Sequence, residues 1–349
     1  MRFGTDFDEG HKIKGFMLPD NPTKTPKIQI RLDDGSVVEM TANDHRQDLI
    51  DMGLHSTGYI GFYIDESSIP SLREQKGIEI WDNDDNILIY RRSDPRVHIE
   101  KKIILFDASI SSKTEFFNTV SAHFAMNYDS VEQYTFDTMV GLIYIWGAVS
   151  QFMMGRPSYM RHSGLLKQRE FITVALLDNP FEEMAKRLMF LKLLSKPNNS
   201  IVLERNAKGL LPMVEFARDF PFEDHRAMKK YFAGASHDFK RFFQDPMTQM
   251  LACEVDEKPT WRHVTMALGN LAAMDVVGTR QHFSDFKVIL ADVVGANILG
   301  NCTPISLPSV KIISERLEKI SAVTKLLEND LALYSYAAEA VEANAMPKP

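Results

Sequence analysis

Cysteine is scarce in this chain, whose 349 residues include only Cys253 and Cys302. Two cysteines cannot build a disulfide framework, and they leave no metal-ligand spacing. The first residues, MRFGTDFDEGHK, carry early acidic groups and lack an apolar core, so they are not typical of a signal peptide. We therefore expect a cytoplasmic protein with reduced thiols.

Long uncharged runs are scarce as well. The segment from Thr138 to Gly155, TMVGLIYIWGAVSQFMMG, has no charged residue over 18 positions. That length is near the lower limit for a membrane span, and its glycines and polar residues weaken the pattern. We expect a buried core helix here and no spanning helix, with peripheral contact at the inner face of the membrane as the alternative.

The chain also lacks excess positive charge and a glycine-rich nucleotide loop. Its formal net charge is −7, and no cationic stripe alternates with aromatic residues, which argues against nucleic-acid binding. No Gly-x-x-x-x-Gly-Lys-Ser/Thr segment occurs, which argues against a P-loop nucleotide kinase. We expect no metal, because four histidines show no metal-ligand spacing. These are His225, His237, His263 and His282.

Residues 1–95 are predicted to form a separate β domain. Short alternating runs are separated by turn sequences, and Asp34-Gly35 and Asn83 to Asn86 mark two hairpins. This pattern predicts a small antiparallel β-sandwich or barrel of about five to seven strands. Three of its aromatic residues are candidates for stacking on sugar rings, with half-buried strand positions as the alternative. They are Tyr59, Tyr63 and Trp81.

A second domain is predicted over residues 100–343. Ile103 to Phe106 is a continuous apolar run, typical of a strand buried in a parallel sheet, and a polar loop with Ser112, Lys113 and Thr114 follows it. A helical pattern begins after the loop, so the free amides of the helix and the lysine form a candidate anion site. An ordinary connection with a solvated lysine is the alternative.

Two further strand and helix units extend the second domain. Phe171 to Leu177 precedes a helix that starts at Pro180, and Met274 to Val277 precedes a helix that ends near Val294. Repeated units of this kind predict an α/β fold whose parallel sheet binds its ligand at the carboxyl ends of the strands.

The last segment is predicted to be one long helix, capped by Ser306 or Ser309 and ending near Ala343. Its apolar residues keep a seven-residue period that is broken at Thr324. This seam consists of Val310, Ile313, Leu317, Ile320, Leu327, Leu331 and Tyr334. Packing inside the domain is the interpretation we favour, and a homodimer contact is the alternative.

The order of glycines and charged residues in the β domain resembles a known module. The pattern consists of Gly15-Phe16, Ala42-Asn43, Arg46, Asp48, Leu49, Gly53, Gly58 and Gly61-Phe62. It resembles the β-sandwich module attached to bacterial glycosyltransferases and other cell-surface polysaccharide enzymes, over roughly the first 90 residues. The module usually has a tryptophan at the position of Phe16.

The second domain resembles the sulfotransferases that use 3′-phosphoadenosine-5′-phosphosulfate (PAPS), especially the carbohydrate branch with 2-O-sulfotransferases. The resemblance covers about 240 residues and is carried by the Lys113-Thr114 loop, Asp178-Asn179-Pro180, and the segments AMDVVGTRQHFSDFKVILADVVG and LLENDLALYSYA. It implies a P-loop-like α/β fold, PAPS as co-substrate, and a bacterial polysaccharide or glycolipid as acceptor.

The resemblance also implies roles for individual residues. Ser112, Lys113 and Thr114 would hold the 5′-phosphosulfate, and Lys113 would stabilise charge on the leaving phosphate. Lys186 and Arg187, one turn further on, are the cations predicted to hold the 3′-phosphate, with a solvated helix face as the alternative. The acceptor hydroxyl needs a base, for which His162 is the first candidate and His123 the second, with a structural histidine as the alternative.

The chain departs from the family at both donor motifs. The departures are Ser112 for proline, Glu115 and Phe116 for two glycines, Asp178 and Glu183 for two arginines, and Lys186 for a serine. Carboxylates in place of guanidiniums oppose an anionic donor. Two functions therefore stay open. One is sulfuryl transfer from PAPS, and the other is a catalytically inactive protein of this fold that binds glycan or scaffolds polysaccharide biosynthesis.

Overall fold

The computed structural model describes residues 1–92, 94, 96–110, 114–196, 210–303 and 307–345. These residues form a mixed α/β structure with antiparallel sheets near the amino terminus and a parallel sheet later in the chain. The predicted α/β class with an antiparallel amino-terminal region is confirmed at this level.

Thirteen β-strands occur among the described residues. They are β1 Arg2–Asp8, β2 Lys12–Leu18, β3 Lys27–Arg31, β4 Val37–Thr41, β5 Asp44–His45, β6 Tyr59–Asp65, β7 Glu79–Asp82, β8 Leu88–Arg91, β9 Lys102–Phe106, β10 Met126–Tyr128, β11 Gln151–Gly155, β12 Ile172–Leu177 and β13 Val276–Thr279.

The same described ranges contain fourteen α-helices. They are α1 Gln47–Asp51, α2 Thr114–Ser121, α3 Phe136–Ile143, α4 Tyr159–Gln168, α5 Pro180–Leu194, α6 Leu211–Arg218, α7 His225–Ala233, α8 His237–Phe243, α9 Pro246–Ala252, α10 Trp261–Ala272, α11 Phe283–Val294, α12 Pro308–Leu317, α13 Ser321–Leu326 and α14 Glu328–Ala345.

The chain divides into two compact units. The first comprises Met1–Ile104, Phe116–Met154 and Gly164–Ile172. The second comprises Leu105–Glu115, Gly155–Ser163 and Thr173–Pro349. The boundary proposed between residues 95 and 100 stays a prediction.

The amino-terminal strands form two four-stranded antiparallel sheets, in the orders β1-β2-β6-β5 and β4-β3-β7-β8. Both predicted hairpins are confirmed, because β3 pairs with β4 and β7 pairs with β8. Gly35 has a φ of +82° and Asn86 a φ of +53° in these turns, a backbone region that turns favour. The predicted strand number was too low, because β1 and the two-residue β5 lack a clear alternating pattern.

The parallel sheet has five strands in the order β10-β11-β9-β12-β13. Three of them, β9, β12 and β13, lie where the apolar runs predicted strands. β9 is the central strand. The chain continues from β9 to β10 and β11 on one side of it and then to β12 and β13 on the other, so the strand order reverses at β9. Ligands bind outside the carboxyl ends of the strands at such points.

The uncharged segment from Thr138 to Gly155 is not the single core helix that we predicted. It contains the end of α3, a turn and the strand β11. The helix ends at Ile143, where Tyr144 leaves helical geometry with a φ of −105° and a ψ of 21°. Within the described ranges, no helix is long and apolar enough to cross a membrane.

The carboxyl-terminal segment is three helices, α12, α13 and α14, and the prediction of one long helix was wrong. Leu307 precedes α12, with Pro308 as its first residue, so Ser309 is not the cap, and Ser306 lies outside the described residues. The apolar seam does pack inside the second unit: Val310, Ile313, Leu317, Ile320 and Leu327 are all buried in one core cluster. These side chains are therefore not exposed to a second copy.

Candidate functional site at the carboxyl edge of the parallel sheet

A charged residue directly follows each of the five strands of the parallel sheet. Asp129 follows β10 and Arg156 follows β11, and the other three form a cluster. Asp107 follows β9, Asp178 follows β12 and Arg280 follows β13. Because parallel strands end at the same edge of a sheet, these side chains come together there. All three belong to the second unit.

Arg280 links the two aspartates. Its Nη2 donates to Asp107 Oδ2 at 2.8 Å, and its Nε lies 3.2 Å from Asp178 Oδ2. Asp178 Oδ2 also forms an ion pair with Lys186 Nζ, from the second turn of α5. Burial lowers the pKa of the Arg280 guanidinium. The carboxylates of Asp107, Asp178 and Glu183 raise it by more, so the pKa is raised overall. Lys186 and Arg280 are therefore both engaged by one buried carboxylate.

A second ion pair lies deeper on α5. Arg187 Nε donates to Glu183 Oε1 at 2.9 Å, and both side chains are almost fully buried. Another Arg187 nitrogen donates to the Ala108 carbonyl, just after β9. Burial lowers the pKa of Arg187, and the nearby Arg156 guanidinium acts in the same direction. This pair ties α5 to the loop after β9.

Asn179 directly precedes α5 and caps its first turn. Asn179 accepts hydrogen bonds through its side-chain oxygen from the amides of Phe181 and Glu182, at 2.9 and 3.3 Å. Pro180 occupies the first helical position, where no amide is needed. The cap fixes the start of α5, and the helical spacing then places Lys186 beside Asp178.

Tyr334 reaches the same edge of the sheet from α14. Burial, together with the carboxylates of Asp178 and Glu182, raises the pKa of Tyr334 to about 12. The Thr279 hydroxyl, at the end of β13, lies 3.2 Å from His282 Nδ1. Thr279 is fully buried, so its hydroxyl bonds within the protein, whereas the partly buried Tyr334 phenol and His282 imidazole can donate hydrogen bonds to a ligand.

The predicted site residues have different outcomes. Ser112 and Lys113 lie outside the described residues, and Thr114 is the first residue of α2. Lys186 and Arg187 both lie in the cluster described above.

His162, the candidate base, is 5% exposed on α4, and its Nδ1 lies 2.8 Å from the Ser158 carbonyl. Burial lowers the pKa of His162, so the neutral imidazole is favoured. The second candidate, His123, belongs to the first unit. A catalytic role for either histidine stays a prediction.

Sequence reasoning missed Asp107, Arg280 and Tyr334 as members of this cluster. Asp107 and Arg280 could have been found by asking which residue follows each apolar run, because ligands of α/β folds bind there. Tyr334 was assigned to the apolar seam by its period, and the sequence offers no signal for its polar surroundings.

Among the described residues, three carboxylates of the cluster face three cations. They are Asp107, Asp178 and Glu183, and Lys186, Arg187 and Arg280. Each of these cations has a carboxylate partner, and Arg156, whose guanidinium acts on Arg187, adds a further positive charge. Within the part of the chain that the structure describes, no group of three or more His, Cys, Asp or Glu side chains could hold a metal ion.

Comparisons with protein-family models, with curated proteins and with solved structures find no match to this chain.

Proposed function

We propose that this chain is a catalytically inactive protein of the sulfotransferase-like type, which binds glycan or scaffolds polysaccharide biosynthesis instead of transferring sulfate. One observation carries the proposal. Asp178, at the position of a family arginine, holds Lys186 and Arg280 in ion pairs. A phosphate would have to compete with this buried carboxylate for both cations.

The physical argument concerns the charge of the donor. PAPS carries several negative charges, and a site for it needs net positive potential. Binding would require Lys186 and Arg280 to leave Asp178, which is 5% exposed. A buried carboxylate without its cations is strongly unfavourable. The donor would therefore bind only at the cost of breaking an existing network.

The glycan role rests on the β domain. Its glycine and charge pattern resembles modules attached to polysaccharide enzymes, and Tyr59 and Tyr63 are 48% and 40% exposed. Trp81 is half-buried: Arg31 stacks on its ring at 4.3 Å, and its indole nitrogen donates to Glu79 at 2.8 Å. The two tyrosines are the better candidates for sugar contact.

An active PAPS-dependent sulfotransferase is the second candidate. It is favoured by one observation: α2 begins at Thr114, shortly after the end of β9 at Phe106. A helix that starts beyond a polar loop at a strand's carboxyl end is the arrangement that phosphate binding uses. Lys113 would then act on the leaving phosphate and His162 as the base.

Calorimetric titration with 3′-phosphoadenosine-5′-phosphate separates the two candidates. We expect no binding by the wild-type protein and measurable binding by Asp178→Asn, because the substitution releases Lys186 and the Nε side of Arg280, which keeps its bond to Asp107. Asp238→Asn is the matched control, since it changes net charge equally at a residue that is 83% exposed. It should not bind.

Micromolar binding by the wild-type protein would contradict the proposal. If Lys113→Ala then abolished that binding, the ligand would occupy the family's donor site, and the second candidate would replace the first.

A further inference from the structure

The turn between α3 and β11 exposes apolar side chains and carries no charge. It runs from Tyr144 to Ser150, with the sequence YIWGAVS. Trp146 is 74% exposed, the highest value among the large apolar side chains that the structure describes, and Val149 is 55% exposed. Gly147 has a φ of +73°, and a Cβ there would meet nothing within 4 Å. The middle of the turn therefore faces open space.

Buried contacts hold the base of this turn. Ile145 is 5% exposed, and Gly4 of β1 forms a parallel backbone bridge with Trp146. The amide of Gln151, the first residue of β11, donates to the Lys101 carbonyl at 2.9 Å. An exposed side chain on a backbone that is already held loses less conformational freedom when it binds a partner. The turn is therefore a preformed contact surface.

Cations lie beside the turn at the amino edge of the parallel sheet. β11, β9 and β12 are neighbours in this sheet, and neighbouring strands lie about 4.8 Å apart, so the residues before these strands share one edge. Lys101 and Lys102 lie at the start of β9, and Lys167 and Arg169 lie at the end of α4, shortly before β12. The Arg169 guanidinium lies 5.2 Å from the centre of the Tyr144 ring. This contact places one of the cations directly against the turn.

These four cations leave a surplus of positive charge. Among the described residues, none of them forms an ion pair with a carboxylate. The same segments contribute only the two carboxylates of Glu100 and Glu170. Burial, followed by the positive charge of Arg169, lowers the pKa of Lys102. The edge therefore attracts anions.

A bilayer with anionic lipids fits both features of this surface. Tryptophan is enriched at the membrane interface, where its amphipathic ring lies at the level of the headgroups, and lysine and arginine are attracted to anionic lipids. An acidic polymer would pair with the cations and leave Trp146 and Val149 without a partner. A stable protein interface buries about 800 Å² on each side, which is more than two apolar side chains supply.

We infer that this part of the first unit binds the surface of an anionic lipid bilayer. Trp146 and Val149 enter the headgroup layer, and the cations lie against the lipid phosphates. The contact is peripheral, since it combines a small apolar insertion with electrostatic attraction. It does not depend on the glycan role proposed above. We call this set of residues the amino-edge surface. It consists of Lys101, Lys102, Trp146, Val149, Lys167 and Arg169.

The test is co-sedimentation of the full chain with vesicles of phosphatidylcholine, either alone or mixed with phosphatidylglycerol. We expect binding to the anionic vesicles that weakens as salt is added, because salt screens the attraction. Trp146→Ala should weaken this binding about tenfold, because a large apolar side chain no longer leaves water. Lys101→Gln combined with Lys167→Gln should weaken it about thirtyfold, since each lysine near an anionic surface contributes about 1 kcal/mol.

Matched variants of the second unit serve as controls. Trp261→Ala removes a tryptophan that is 60% exposed. Lys229→Gln combined with Lys311→Gln removes two exposed lysines, so the net charge changes as in the test variant. Both controls should bind the anionic vesicles like the wild type. Circular dichroism verifies that each variant is folded.

Each of four other outcomes would overturn the inference. The first is no sedimentation with either kind of vesicle. The second is binding that the Trp146 and lysine substitutions leave unchanged, because another surface then carries it. The third is equal binding to vesicles of phosphatidylcholine alone, which gives the cations no role. The fourth is self-association that Trp146→Ala abolishes, without vesicle binding, which would assign the turn to a second copy of the chain.

Discussion

At the scale of single residues, Arg187 and Arg241 differ in what surrounds their ion pairs. Arg187 is 2% exposed and pairs with Glu183, which is equally buried. Arg241 is 61% exposed and pairs with Asp256 at 2.7 Å. Removing one partner of a buried pair leaves an uncompensated charge, whereas an exposed pair is replaced by water. The two pairs should therefore respond very differently to the same substitution.

We expect Arg187→Met to lower the free energy of unfolding by about 3–5 kcal/mol, because Glu183 and the Ala108 carbonyl lose their donor. Arg241→Met should cost at most about 1 kcal/mol. Urea unfolding followed by circular dichroism measures both. The double variant Arg187→Met with Glu183→Leu should recover much of the lost free energy of unfolding, since neither charge of this pair remains in the core. Equal small losses for the two single variants would contradict this account.

The residues of the carboxyl-edge cluster were only partly predictable from sequence. Lys186 was assigned to an anion site because it is a cation one turn into a helix, and that pattern does not say which carboxylate faces it. Asp178 was noted as a departure from a family motif. Its pairing with Arg280 joins positions about 100 residues apart in the sequence, and single-sequence patterns carry no information about such contacts.

At the scale of elements, continuous apolar runs predicted β9, β12 and β13 well, because a buried parallel strand needs apolar side chains on both faces. Periodicity failed where backbone geometry decides the outcome. The seven-residue seam includes Ile320 and Leu327, yet the helix breaks near both positions into α12, α13 and α14. The seam still packs in the core, so burial was predictable and helix continuity was not.

The packing of β13 against α11 gives a prediction at this scale. A Cβ at Gly278 would lie within 2.8 Å of Phe286 Cβ, whereas a Cβ at Gly269 in α10 would meet nothing within 4 Å. Gly278→Ala should destabilise the protein by about 1–3 kcal/mol through overpacking. Gly269→Ala should stabilise it by about 0.5–1 kcal/mol through helix propensity. Thermal unfolding of both variants is the measurement, and a stabilised Gly278→Ala would contradict the packing argument.

At the scale of the whole molecule, two buried aspartates connect helices that are far apart in sequence. Asp245 precedes α9 and accepts hydrogen bonds from the amides of Asn329 and Asp330, at 2.9 and 3.0 Å, in the first turn of α14. Asp330 in turn accepts from the amides of Met247 and Thr248, at 2.9 and 2.7 Å, in α9. Each carboxylate thus caps the other's helix.

This reciprocal arrangement makes stability depend on pH. Burial, followed by the neighbouring Asp245 carboxylate, raises the pKa of Asp330 to about 7, against about 3.9 in the unfolded chain. The unfolded state therefore gives up this proton at lower pH than the folded state does. The contribution to stability is complete below about pH 4 and is lost as pH rises through 7, by up to about 4 kcal/mol.

Asp330→Asn cannot titrate, so we expect its stability relative to the wild type to increase as pH rises from 4.5 to 8. Urea unfolding at several pH values measures the difference. Asp224→Asn is the matched control, because Asp224 caps α7 at an exposed position and amide hydrogen bonds from Ala227 and Arg226 lower its pKa. Its contribution is complete above the unfolded-state pKa of about 3.9 and is lost only on further acidification, so its difference from wild type should stay constant between pH 4.5 and 8. Parallel pH profiles for wild type and Asp330→Asn would show that Asp330 keeps its ordinary pKa in the folded protein.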